Sequence, residues 1–167
     1  MDFYEVVERR RSVRAYRREP VEEDKLGRIL EAARVAPSAA NRQPLRFFVI
    51  REAAQRERML DAYAQPWFAE APVIICACTT PGTAWSRVDG KNYADVDLAI
   101  AMEHLILAAT AEGLGTCWIG AFKPDKVREL LDLPPELEPV AMTPLGYAAD
   151  EEKPTKRKPL DDLVENV

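Results

Sequence analysis

The stretch NYADVDLAIAMEHLILAATAEGLGTCWIGAF, residues 92 to 122, constrains this chain more than any other. From Val96 to Ala111 apolar residues fall on nearly every helical face: Val96, Ile100, Leu107 and Ala111 make one stripe, and Leu98, Met102, Leu105 and Ile106 fill others. A helix apolar all round is a buried helix. Glu103, His104 and Thr110 interrupt the run, and it falls short of the roughly 20 apolar residues that cross a bilayer. Protein must therefore cover it, in a core or at a subunit interface. Gly113 stands where helices commonly end on a residue of positive φ, and Gly115 lets the backbone turn again. Thr116, Cys117, Trp118 and Ile119 then carry the β-branched and aromatic bias of a strand. At Gly120 the missing side chain lets a neighbour approach the backbone, and a flat ligand is one such neighbour. These glycines are no dinucleotide fingerprint, because they close a helix and enter a strand, and the third comes too late for G-x-G-x-x-G. Gly90-Lys91-Asn92 likewise lacks the spacing and the following Ser or Thr of a P-loop.

With 167 residues and 47% hydrophobic content, residues 1–167 read as a single domain with a substantial core. The net charge of −5 argues against general binding to nucleic acid or anionic membranes. Yet six of the ten residues from Arg9 to Arg18 are arginine, so the positive charge is local. Cys76 and Cys78 lie two apart on one face of a strand-like run, badly placed to bond each other, and with Cys117 they read as buried free thiols. The charged start MDFYEVVERR shows no export signal, and a reducing cytoplasm fits. With His104 the only histidine, histidine-based metal sites have no ligands and a triad has one candidate base. Catalysis in such a chain borrows its chemistry from a cofactor.

Residues 2 to 10 predict a short helix burying Phe3, Val6 and Val7. Arg10, Arg11, Ser12 and Arg14 follow. Guanidinium forks beside a hydroxyl suit a phosphate, and equally form a solvated basic face with Ser12 as a turn or cap residue. Pro20 starts the next predicted helix, with Leu26, Ile29, Leu30 and Ala33 at helical spacing, and Pro37 to Pro44 is a proline-bounded polar loop. There Ser38, Asn41 and Gln43 can serve a ligand or cap their own turns. Leu45 to Ile50 reads as a central strand, residues 52 to 62 as a helix, and Pro72 to Thr79 as a second buried strand. Gln65 to Phe68 reads as an irregular aromatic segment, and the loop from Thr79 to Gly90 carries Trp85. Pro124 opens a further helix through Leu131. Val140 to Tyr147 is a third core strand, and Lys153 to Val164 is a basic and apolar tail. Strands alternating with helices predict a sheet with helices packed on it.

RRSVRAY, PSAANRQP, GLGTCWIGAF, PLGY and KRKPLDDLV, in this order over nearly the whole length, resemble the FMN-dependent nitroreductase family, in one of its short forms. The resemblance implies an α+β fold: a central mixed, mainly antiparallel sheet flanked by helices, in an intertwined homodimer whose C-terminal tails are exchanged. It implies two FMN molecules at the dimer interface and NAD(P)H as co-substrate, with two-electron hydride transfer to a flat conjugated acceptor such as a nitroaromatic or quinone. Reductive dehalogenases, enone reductases and flavin-cleaving enzymes share the fold, and a non-catalytic FMN-binding protein is the rival from another class. By resemblance, Arg10, Arg11, Ser12 and Arg14 hold FMN through its phosphate, ribityl chain and pyrimidine edge, and Arg157, with Lys156 or Lys158, closes on the phosphate. Pro37, Ser38, Ala39, Asn41 and Gln43 belong to the loop that reaches the flavin from the other subunit. Trp118 and Ile119 lead to Gly120 and Ala121, whose backbone amides face the ring near N5. No catalytic side chain and no metal are implied. This chain departs from several relatives in having Ala64-Gln65-Pro66-Trp67, without a lysine, before the second strand, and in having Gly120 where some carry glutamate.

Overall fold

The computed structural model describes residues 1–151 and 155–167; Lys153 and Pro154, at the start of the predicted tail, lie outside the described residues. The elements run α1 (Phe3–Arg9), α2 (Glu23–Arg34), β1 (Leu45–Ile50), α3 (Ala53–Arg58), α4 (Pro66–Glu70), β2 (Val73–Thr79), α5 (Ala94–Ala111), β3 (Gly115–Thr116), α6 (Pro124–Leu131) and β4 (Glu138–Gly146). The strands form one antiparallel sheet in the order β1-β2-β4-β3. Its parallel component is a single bridge between Ser12 and Thr116.

Every residue of β2 is buried, because helices cover both faces of the sheet. Val73, Ile75 and Ala77 point into a core with Leu26, Ile29 and Ala33 of α2 and Leu98, Met102 and Leu105 of α5. Ile74, Cys76 and Cys78 point to the opposite core, which holds Phe68 of α4 and Val127 and Leu130 of α6. The thiols of Cys76 and Cys78 lie 3.8 Å apart, both free and buried, as their spacing predicts. α5 covers the sheet with Ala94, Asp97, Leu98, Ala101, Met102, Leu105, Ile106 and Ala109, while Val96 stays 38% exposed. Gly113 ends the helix with φ 77°, and Pro124 opens α6 at its first position.

Four expectations need correction. β1 lies at the sheet edge, not its centre; it reads apolar because Leu45, Phe47 and Val49 serve one core while Phe48 and Ile50 serve the other. α2 begins at Glu23 rather than Pro20, since Glu22, the residue before its first turn, keeps an extended backbone. Residues 66–70 are helical rather than irregular, with Pro66 at the first position, where its fixed φ suits a helix and its missing N–H costs nothing. In α1, closed by a reciprocal Asp2–Glu5 capping box, only Val6 is buried; Phe3 and Val7 face outward with Tyr4. The helix packs on α5 with Val6 as its buried residue, and the apolar surface of Phe3, Tyr4 and Val7 is uncovered among the described residues.

A small third core fixes the head of the chain. Gly115 and Gly146 lie directly opposite each other in the β3–β4 pair. Paired residues project to the same face of an antiparallel sheet, and here that face has no Cβ atoms. Val13 fills the space over Gly115, and Pro72 and Tyr16 fill the space over Gly146. Val13, Tyr16 and Ala71 form the resulting cluster. The Tyr16 hydroxyl donates to the Val13 carbonyl at 2.8 Å, and burial raises its pKa far above the ordinary tyrosine value, so it stays a neutral donor.

Candidate functional site

The arginine-rich head crosses the end of the sheet instead of forming a solvated tail. Val13 N–H donates to the Thr116 carbonyl at 2.8 Å, Arg17 N–H to Tyr147 at 2.9 Å, and Ala149 N–H to Ala15 at 2.9 Å. Arg11 Nη2 donates to Asp150 Oδ1 at 2.7 Å and to the Asp150 carbonyl at 3.0 Å, and the Arg14 amide donates to Asp150 Oδ2 at 3.3 Å. Asp150, which the sequence reading missed, thus ties down the head from the far end of the chain. The hydrogen bond from Arg11 holds its carboxyl below the usual carboxylate range. A depressed folded pKa contributes stability that is fully present above the unfolded value and is lost as pH falls through the folded one. Asp150→Asn should therefore cost about 1 kcal/mol near neutrality for this partly buried pair. The gap between parent and variant, followed by urea titration, should shrink steadily below about pH 4; a gap that widens on acidification would contradict the assignment.

Beside the head, the second predicted segment leaves the sheet. Pro144 has no N–H for the ladder; next to it the Thr143 hydroxyl accepts the Cys117 amide at 3.1 Å and donates to the Pro144 carbonyl at 2.9 Å. Ile119 rejoins β4 through reciprocal bonds with Met142 at 2.8 and 2.9 Å. Between these points the backbone bows outward. Trp118 is 41% exposed and Ile119 is buried. Gly120 and Ala121 are exposed, and among the described residues their amides have no acceptor. Burial pushes the Cys117 thiol up, against the pull of the Arg14 charge and the Ser12 hydroxyl, which places both residues beside this segment. Among the described residues the Arg10 and Arg14 side chains form no ion pair with a carboxylate.

The third predicted group, the proline-bounded loop, is organised separately. Ala40, Asn41 and Gln43 have φ of 50°, 53° and 50°, left-handed values that a non-glycine residue seldom adopts. The Ser38 hydroxyl accepts the Gln43 amide at 2.9 Å, and Gln43 Nε2 donates to the Asn41 carbonyl and side-chain oxygen at 3.2 and 3.1 Å. From α5 a carboxylate oxygen of Asp97 accepts the Ala39 amide at 2.8 Å. Pro37, Asn41 and Gln43 are exposed, Ser38 and Ala39 half-buried. The capping role foreseen for Ser38 and Gln43 is present, and it leaves the loop's outer surface open.

Lys156 and Arg157 are exposed, and among the described residues the Arg157 guanidinium reaches only the Lys156 carbonyl, at 3.2 Å. Leu160, Leu163 and Val164 beyond them are more than half exposed. A cleft of about 950 Å³ lies elsewhere, among Arg18, Arg51, Arg56 and Glu70, and contains none of the predicted residues. Two of its three arginines are engaged: Arg51 pairs with Glu23, and Arg56 donates to the Ala69 carbonyl. Among the described residues, the predicted donors without a partner include the Arg10 and Arg14 guanidiniums at the head and the amides of residues 120 and 121. Trp85 packs edge-on against Tyr93, with ring centroids 5.0 Å apart. His104 lies against the Ala32 carbonyl at 3.3 Å, half-buried between helices. Among the described residues no helix is long and apolar enough to cross a membrane.

Comparison with known proteins agrees with this fold. The family model described as Nitroreductase family matches residues 7–65 and 60–147. A Thermus thermophilus protein named NADH dehydrogenase is 33% identical over 93% of this chain and 91% of its own length. A Bacillus subtilis protein named FMN reductase [NAD(P)H] is 30% identical over 89% of this chain and 67% of its own. The crystal structure of a nitroreductase family protein from Clostridium difficile superposes with a TM-score of 0.92 at 36% identity, over 99% of this chain and 98% of that one. The motif order, the helix-covered antiparallel sheet and these relatives lead to one assignment: the chain belongs to the nitroreductase family.

Proposed function

We propose that this protein is an FMN-dependent NAD(P)H oxidoreductase acting as a homodimer. The observation that carries the reading is the nearness of two guanidiniums, Arg10 and Arg14, beside Ser12, to the amides of Gly120 and Ala121, all without an acceptor or carboxylate partner among the described residues. That donor set fits a flat ring ending in an anionic chain. Bound FMN would supply the redox chemistry, hydride transfer at N5 from NAD(P)H and onward to a flat conjugated acceptor such as a nitroaromatic or quinone. The chain's own residues do the rest. Arg10, Arg14 and Ser12 would hold the anionic end and the pyrimidine edge, and a fixed positive charge from Arg14 would favour the reduced, more anionic form. The Gly120 and Ala121 amides would orient the ring. Lys156 and Arg157 close on the phosphate, and Pro37, Ser38, Ala39, Asn41 and Gln43 approach from the second copy. The homodimer accounts for what one chain leaves uncovered: Phe3, Tyr4 and Val7 on α1, Val96 on α5, and Leu160, Leu163 and Val164 in the tail.

Arg14→Ala tests the reading. The parent should purify yellow and release FMN on denaturation. The variant should bind FMN about tenfold more weakly, the loss expected for one charge-assisted contact, and its flavin midpoint should move to more negative potential. A variant with the parent's affinity and midpoint would remove Arg14 from the site, and a parent that stays colourless with excess FMN would remove the flavin.

A further inference from the structure

Asp97 is only 1% exposed, yet its carboxylate has a single protein partner, the Ala39 amide 2.8 Å from Oδ1; Oδ2 is buried without a donor among the described residues. A charge at that depth is costly when half its acceptor capacity is unmet, and an apolar side chain would pack against the sheet with no such penalty. Its place in the first turn of α5, near the positive end of the helix dipole, offsets part of the cost. What the residue achieves is the loop. Three of the residues from Ala40 to Gln43 sit in left-handed conformations that cost energy in a non-glycine residue and persist only when the surroundings impose them. Two ties do so. One lies inside the loop, from the Gln43 amide to Ser38 Oγ, and the other fastens it to the buried helix, from the Ala39 amide to Asp97.

We infer that Asp97 is a positioning residue: through the Ala39 amide it holds the 38–43 loop in the strained form that presents Ser38, Ala39 and Asn41 to the ligand, a role that rests on the flavin reading above. No residue of the loop touches the orphan oxygen, so the effect passes through one bond. Asp97→Leu removes the acceptor while keeping the branched shape, though with bulkier methyl groups, and Asp97→Ala does so without crowding should leucine prevent folding. Asp97→Asn keeps a carbonyl oxygen for the Ala39 amide and serves as rescue. In hydrogen-exchange measurements on the FMN-free protein, the Leu or Ala variant should exchange the amides of residues 39–43 at least tenfold faster than the parent, with the β2 and β4 amides unchanged. FMN should bind at least tenfold more weakly to that variant and within about threefold of the parent to Asp97→Asn, since a neutral acceptor is about half as strong as a charged one. Unchanged exchange in the loop overturns the inference, and so does faster exchange with unchanged FMN affinity. Slowed exchange in Asp97→Asn equal to that in the parent, with affinity retained, supports it. A parent that binds no FMN overturns the flavin reading and the ligand half of this inference together, whereas FMN bound equally by parent and Asp97→Leu overturns the role of Asp97 alone.

Discussion

Phe68→Ala is expected to destabilise the protein by about 3–5 kcal/mol, the cost of removing a fully buried aromatic ring from a packed core. Phe68 is wholly inaccessible and meets the rings of Tyr63 and Trp67 edge-on, with centroids 5.3 and 6.4 Å away. Such pairs contribute beyond the area they bury, on the order of 0.5–1.5 kcal/mol each. The site cannot easily collapse, because β2 supplies Ile74 and Cys76 from a rigid sheet and α6 supplies Val127 from the other side. For a domain of this size the thermal midpoint should fall by roughly 6–20 °C. A loss below about 1 kcal/mol in chemical denaturation, with an unchanged m-value, would mean that this core is less tightly packed than its contacts imply. The same core holds Cys117 and Ile119, which lead into Gly120, so folded Phe68→Ala protein at low temperature should lose FMN affinity, but by less than Arg14→Ala.

Gly115→Ala should have the opposite profile, with a smaller loss of stability and a large loss of the ligand site. A methyl group there would lie 2.5 Å from Val13 Cγ2, 2.9 Å from its Cβ and 3.0 Å from its Cγ1. Rotating the valine exchanges one clash for another, so the whole residue must move. Overpacking of this kind costs about 1–3 kcal/mol. Val13 sits between Ser12 and Arg14, and its displacement carries both away from residues 117 to 121. FMN affinity should therefore fall by at least tenfold even where the variant is folded. The decisive comparison adds Val13→Ala, which removes the two clashing methyls. The double variant should be more stable than the sum of the single losses predicts, by more than the roughly 0.5 kcal/mol within which independent sites add. Strict additivity would show that the two residues do not meet.

Much of the frame is legible in the residues themselves. The all-round apolar helix, its glycine stop, the proline start of α6 and the buried run of β2 follow from periodicity and backbone chemistry, which act over a few residues. What was misread depends on partners far away in the chain. An apolar strand looks the same at the edge of a sheet covered on both faces as at its centre, which is why β1 was placed wrongly. The apolar face of α1 was assigned to the interior because a hydrophobic pattern does not say which surface covers it. The loop PSAANRQP announced itself as polar and shaped, but nothing in an alanine at position 40 signals a φ of 50°. Asp97 was absorbed into its helix, since its tie to Ala39 spans 58 positions, and Asp150 went unnoticed for the same reason, 139 positions from Arg11. The glycine pair at 115 and 146 depends on strand register, which composition does not encode.

The ties that hold the arginine-rich head come from Thr116 and from residues 147 to 150. Translation delivers the head first and these acceptors much later. A ribosome must pass Asp150 before the docked form has all its partners, so every truncated product carries the full set of head arginines with no fixed place to put them. Closure of such a long loop precedes any gain from the contacts it brings, which puts this corner among the last parts of the molecule to gain order.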